Sequence, residues 1–175
     1  MRTLITLLML FMLTACTSIP SGVTPINQFK FDQYLGTWYE VARIENSFER
    51  GLSQVTATYT KRDDGGVTVL NRGFNAQDNE WEQAEGRAYF VGANNVGHLK
   101  VSFFGPFYAS YVVIQSDENH QQYAIVSGYN KEYLWLLSRQ NEVPQDVMTQ
   151  FMTIATTHGF NTEELVFANS NAAIK

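Results

Sequence analysis

The 175-residue chain has a single cysteine, Cys16, so no disulfide can form within it. A basic excess is also missing. Its 12 Lys and Arg face 17 Asp and Glu, for a formal charge of −5. Without a positive stripe to neutralise phosphates, nucleic acid is excluded as a partner. The longest apolar run, Leu4 to Leu13, falls well short of the ~20 residues a membrane-spanning helix needs. There is no internal repeat, no low-complexity tract, and no long helical pattern between Trp38 and Arg139. Signs of catalysis are equally scarce. His98, His120 and His158 stand at two loop edges and a helix end, none with another His, Cys or carboxylate at metal-ligand spacing. They are expected on solvated surface, with no metal and no cofactor. Ser53, Ser102, Ser110, Ser127 and Ser138 have no nucleophile elbow around them, and Gly65-Gly66 lacks a phosphate-cradling context.

What is present describes one globular domain behind an export signal. Hydrophobic content of 45% with 17% charged residues separates the chain from disordered ones, and 14% aromatics suit large apolar surfaces or a lined pocket. Arg2, the Leu4–Leu13 run and Thr14-Ala15-Cys16 form a basic, apolar and small-residue series typical of a secretory signal. Leu13-Thr14-Ala15-Cys16 also resembles the bacterial lipobox. That resemblance implies cleavage before Cys16 and diacylglycerol on its sulfur, and Thr17 in place of Asp implies the outer membrane. Each buried acyl methylene contributes about 0.8 kcal/mol, so two or three chains hold a protein stably. The expected organisation is a signal peptide over 1–15, a lipidated tether over 16–28 with no periodicity, and one folded domain over 29–175.

Within that domain, strand-like segments alternate with turn signals at Asp63-Asp64-Gly65-Gly66, Asn75 to Asn79, Gly92 to Gly97, Gly105-Pro106, Asp117 to His120 and Tyr129 to Glu132. Such spacing predicts an antiparallel meander, sandwich or barrel. Val55, Ala57 and Tyr59 alternate with Gln54, Thr56 and Thr58, as Leu99, Val101 and Phe103 do with Lys100 and Ser102. Phe107 to Ile114 and Tyr133 to Leu137 are apolar on both faces, so each needs two covers. Pro144 to His158 carries Val147, Met148, Phe151, Ile154 and Ala155 near helical spacing, with Gly159 as its stop; it is expected to cover the sheet. Asn161-Thr162-Glu163-Glu164 reads as a capping box before a last short strand, Leu165 to Ala168. Glu40 is the odd carboxylate. It shares strand parity with Trp38, points inward, and needs a partner; a structural ion pair or hydrogen bond near the closed end is expected.

Gly36-Thr37-Trp38 opening the first strand and Ser138-Arg139 closing the eighth resemble the first and third lipocalin motifs. "GTWYEVARIENSFERGLSQVTATY", "LKVSFFGPFYASYVVI" and "YLWLLSR" are more specifically similar to bacterial outer-membrane lipoprotein lipocalins (the Blc type). The second family motif is degraded to Ser116-Asp117-Glu118, with Tyr123 further on. The resemblance implies an all-β, eight-stranded up-and-down antiparallel barrel with one C-terminal helix and a short final strand. Arg139 packs over Trp38 at the closed end in that family, and Gly36 gives the backbone room. The family register together with alternation implies a ligand-lined interior of Ala42, Val55, Ala57, Ala88, Phe90, Leu99, Val101, Phe103, Tyr111, Val113, Ala124, Val126, Tyr133 and Trp135. Small residues (Ala42, Ala57, Ala88, Ala124) would leave room between aromatic walls. Phe48 and Leu52, in the loop that covers the open end in that family, are expected to contact the ligand, with Glu49 and Arg50 expected as a solvated rim. Carriage of fatty acids or lysophospholipids follows from the resemblance, at an outer membrane reached through the lipid on Cys16. A homodimer is also compatible with it. The rivals are an enzyme on the same scaffold, for which Glu40 with Tyr133 is the only set available, and a carrier of another small hydrophobic molecule such as a pigment or haem.

Overall fold

A computed structural model describes residues 17–168. The signal and lipobox readings, Cys16 included, and the segment after Ala168 lie outside the described residues. Eight strands form the body: β1 (Gly36–Ile44), β2 (Leu52–Lys61), β3 (Val67–Asn75), β4 (Glu80–Phe90), β5 (His98–Ser102), β6 (Ala109–Ser116), β7 (Tyr123–Ser127) and β8 (Leu134–Ser138). Each pairs antiparallel with the next, and β8 returns to β1 through Tyr39↔Ser138 and Arg43↔Trp135. The sheet therefore closes into a barrel with no free edge among these strands. A ninth strand, β9 (Leu165–Phe167), lies outside it on the upper half of β1, where Ala42 pairs with Phe167. The long apolar segment before Ile114 enters its strand later than expected: β6 starts at Ala109, and Phe107 stays in the preceding loop, 67% exposed.

Strand alternation sorts the apolar residues into two cores. Inside the barrel, Trp38, Tyr59, Val67, Val69, Ala88, Leu99, Val113, Ala124, Val126 and Leu137 pack together. On the outside, Val112, Ile125, Leu134 and Leu136 meet helix α2 (Gln145–Thr157) through Val147, Phe151 and Ala155. Those three helix positions recur every four residues, the stripe a surface helix buries. The strands apolar on both faces thus have their two covers, lumen and helix. After α2, Asn161 caps a single 3-10 turn by accepting from the Glu163 N–H.

The segment over 17–28, expected as a tether without periodicity, packs along the barrel wall. Val23 is buried in the outer core. The Ile26 N–H donates to the Val113 carbonyl at 2.9 Å, and the Gly97 N–H donates to that of Ile26 at 2.9 Å. The register shift between Val113 and Gln115 on β6 interrupts the ladder just where Ile26 binds. The chain then crosses the closed end, where Phe29 and the one-turn helix α1 (Phe31–Tyr34) plug the barrel from below. Beside them, Asp117 organises the β6–β7 connection by accepting from the N–H groups of Gln121, Gln122 and Tyr123. The degraded second motif keeps this loop-holding carboxylate. Two histidines expected on the surface are buried at loop edges instead: His98 bonds Ser110, and His120 bonds Ser116 with its ring 5.3 Å from Phe29.

Candidate functional site

The closed end is finished by Trp38, which is fully buried. Its indole N–H donates to the Tyr34 carbonyl at 2.8 Å. Arg139 lies over its ring, 3.9 Å from the centroid, an arrangement contributing roughly 0.5–2 kcal/mol. The guanidinium also donates to the carbonyls of Thr37 at 2.8 Å and Leu35 at 2.7 Å. Gly36 adopts φ +96, and a Cβ there would sit 3.3 Å from Arg139 Nη1, so glycine satisfies both backbone and neighbour. Above this lid, the Tyr111 hydroxyl meets those of Tyr34 at 2.7 Å and Tyr59 at 2.8 Å. Burial raises the pKa of all three phenols, keeping them neutral.

This floor reaches higher than the alanine pattern implied. Ala88, Leu99, Val113, Ala124 and Val126 are all 3% exposed or less. They are packed core, with no surface left for a ligand to cover. Ala42 leaves the interior altogether. The register shifts between Glu40 and Ala42, an extra residue that reverses parity, so Ala42 pairs with Leu136 and packs under α2. Val55 is inward but buried against Gly73, and Phe90 meets Phe31 edge-on at the closed end, 5.5 Å away. Of the four alanines, only Ala57 faces the lumen and remains partly accessible. It shares that condition with Val101, Phe103, Tyr111 and Trp135, which surround the upper lumen. Phe103 lies across β4 at Gly86, where a Cβ would come within 2.8 Å of its ring. Asn71, directly opposite Ala57 and hence on the same face, has a buried side-chain oxygen with no hydrogen-bond partner.

The same parity reversal explains Glu40. In a regular strand, residues three apart point to opposite faces; here Glu40 and Arg43 both point inward. Arg43 Nη1 donates to Glu40 Oε1 at 2.6 Å, with both side chains 4% exposed. Its Nη2 donates to the Glu49 carbonyl at 3.0 Å and approaches Glu45 at 3.5 Å. The β1–β2 loop folds onto this pair. Asn46 Oδ1 accepts from the Phe48 and Glu49 N–H groups, its amide donates to Glu49 Oε2 at 2.6 Å, and the Trp135 indole donates to the same oxygen at 3.0 Å. Glu49 is thus a lumen residue and not a solvated rim, and Glu40 is tied to the open end, away from the closed end where its partner was expected. One cation faces three carboxylates. Burial first, and then the Glu49 charge, push the Glu40 carboxyl up to about 8, against the pull of Arg43. Burial opposes the Arg43 charge, but Glu40, Glu49 and Glu45 outweigh it and raise its pKa. The hub therefore holds a firmly charged arginine and a carboxyl that keeps its proton near neutrality.

Above the hub, Phe48 stacks on Tyr133 at 5.9 Å and Tyr133 on Trp135 at 6.0 Å. Tyr133 and Glu40, the only acid–base set available to an enzyme reading, share no hydrogen bond: one is in the aromatic stack, the other on Arg43. The Tyr111 hydroxyl and Trp135 N–H, which would otherwise be available to a ligand's polar head, are already engaged within the protein. Sequence reasoning missed Arg43, Asn46 and Asn71. The pattern Glu40-x-x-Arg43 was visible, but only a strand irregularity makes it a pair.

A lipocalin-like domain model matches residues 29–170. The chain belongs to the lipocalin family. It is 50% identical over 167 residues to "Outer membrane lipoprotein Blc" of Vibrio cholerae, covering 95% of this chain and 98% of that one. Against the Blc lipoprotein of Escherichia coli K12 the identity is 47%, over 90% and 89% of the two chains. Among solved structures, insecticyanin from the tobacco hornworm matches with a TM-score of 0.68 at 19% identity, covering 86% and 85%. The lipocalin barrel seen here accordingly has counterparts far beyond the sequences that resemble it.

Proposed function

We propose that this lipocalin carries or stores a single-chain amphipathic lipid, a fatty acid or lysophospholipid, at the bacterial outer membrane, held there by lipid on Cys16. The observation that carries this reading is the upper lumen. Ala57, Val101, Phe103, Tyr111 and Trp135 face inward over a sealed floor yet keep accessible surface. Apolar area removed from water is worth about 25 cal/mol per Å², so one acyl chain in this half-barrel has the driving force to bind. The polar head would sit near the hub and the mouth, with the unpartnered Asn71 oxygen as an acceptor for a headgroup hydroxyl. Binding is reversible burial; no bond is made or broken. The names of the Blc relatives support the outer-membrane placement.

Native mass spectrometry of the protein purified from its own envelope, then loaded with lysophosphatidylethanolamine or palmitate, tests this. The expected result is an intact adduct of one lipid per barrel, unchanged on release. A turnover product that disappears in Glu40→Gln would establish the enzyme reading instead, and visible absorbance of the purified protein would establish a pigment or haem. The same spectra report whether two barrels pair.

A further inference from the structure

The route of the amino-terminal segment has a consequence for how the barrel meets its membrane. The Ser18 hydroxyl donates to the Tyr129 carbonyl at 3.2 Å. Tyr129 lies in the β7–β8 connection, which opens at the same end as the β1–β2, β3–β4 and β5–β6 connections. From Ser18 at the mouth the chain runs down the outer wall past Val23 and reaches the closed end only at Phe29, whose N–H donates to the Asn95 carbonyl. Only Thr17 separates Ser18 from Cys16. At about 3.3–3.6 Å per extended residue, Cys16 lies within ~7 Å of Ser18 along the chain. An anchor there cannot suspend the barrel by its floor.

The surface at that end fits. Phe48, Phe104 and Phe107 are 70%, 79% and 67% exposed, more than any other large apolar side chain among the described residues. All three belong to mouth connections, 45–51 and 103–108. Exposed aromatic residues grouped at one end mark an interaction surface rather than stray apolar residues. The β1–β2 and β7–β8 connections carry Arg50 and Lys131 together with Glu45, Glu49 and Glu132, so it is the exposed rings and not a basic rim that suit a bilayer. The acidic groups Asp78, Glu80 and Glu82 gather on the remaining sector, the β3–β4 hairpin.

We propose that the occupant of this rim is the phospholipid bilayer carrying the Cys16 anchor. The barrel docks mouth-down, with Phe48, Phe104 and Phe107 in the interface and the β3–β4 hairpin tilted away. A lipid then passes between leaflet and lumen without crossing water. This rests on acylation of Cys16 but not on which lipid the lumen holds.

Single-cysteine labelling of the acylated full chain tests it, because an acylated Cys16 does not take up thiol reagents. Gly105→Cys, where an added Cβ meets nothing within 4 Å, Gln77→Cys and Asp63→Cys are each labelled with an environment-sensitive fluorophore. The protein is reconstituted into phosphatidylethanolamine–phosphatidylglycerol vesicles containing acyl-brominated lipid. Quenching several-fold stronger at 105 than at 77 or 63 is expected, and it should fall to the level of 63 when Phe48, Phe104 and Phe107 are all changed to Ser. Equal quenching at the three positions, stronger quenching at 63, or quenching at 105 that survives the triple change overturns the proposal. Label uptake at Cys16 in the unsubstituted chain overturns it as well. None of these readouts needs a lipid in the lumen, so failure of the carrier reading would be seen separately.

Discussion

The two ends of this barrel solve the problem of closure with opposite materials. The floor is a stack of aromatic rings: Phe29, Tyr34, Trp38 and Tyr59, joined by hydroxyl contacts and capped by Arg139 on main-chain carbonyls. Every polar group named there ends on another neutral group or on backbone. The mouth is held by charge, with Arg43 between Glu40, Glu45 and Glu49 and a loop folded over them. An aromatic floor gains stability from burial that few conditions alter. An ionic hub in low dielectric costs desolvation, responds to pH, and contributes little net stability. A carrier needs both, a permanent seal at one end and an adjustable door at the other.

The largest effect should come from breaking the floor. Trp38→Ala removes a fully buried indole, the Arg139 contact and a hydrogen bond to Tyr34. Urea unfolding should show a loss of about 3–5 kcal/mol. The folded fraction should still bind lysophospholipid, because the upper lumen is intact. Loss of binding in proportion to the floor's damage would erase the distinction between the ends.

Next in size is the mouth. Arg43→Met takes the donor from the Glu40 carboxyl and from the Glu49 main-chain carbonyl, leaving buried acceptors unsatisfied, a change that costs about 1–3 kcal/mol. Adding Glu40→Gln should recover little of it, since the carboxyl it replaces is already protonated near neutrality. The readout that distinguishes mouth from floor is local. Cleavage by trypsin after Arg50 should quicken in Arg43→Met and stay slow in the folded fraction of Trp38→Ala.

How far each end was legible in the sequence follows from the same difference. The floor was announced by residue identity: Gly36, Trp38 and Arg139 are rare types in required places, and all three stand where the resemblance implied. The barrel and helix were legible because alternation and the Val147–Phe151–Ala155 stripe are periodic signals. The mouth depended on one irregularity. A bulge leaves no mark in composition, yet it moved Ala42 outside and brought Arg43 in, so counting by twos failed from that residue onward. Glu49 looked like a rim residue because its partners, Asn46 and Trp135, come from a tight loop turn and a strand 86 residues away. The docked segment over 17–28 was invisible for another reason. Its main-chain contacts to Val113 and Gly97 are backbone bonds, which side-chain patterns do not encode.

The smallest effect, and the most specific to the mouth, is a pH slope. Glu40 keeps its proton up to about 8 in the fold against an ordinary value of 4.5. Between those values the native state binds more protons than the unfolded chain, so this group's contribution is fully present below 4.5 and is lost as pH rises through 8. The slope is at most about 1.4 kcal/mol per pH unit. Most Asp and Glu side chains give the opposite sign, because their native pKa values are depressed. Thermal melts from pH 5 to 8 should therefore show a falling midpoint in the unsubstituted protein and a flatter profile in Glu40→Gln, where Gln still accepts from Arg43. An unchanged slope in Glu40→Gln would mean that Arg43 holds Glu40 ionised throughout, and the door would then be a fixed ion pair, as insensitive to pH as the floor beneath it.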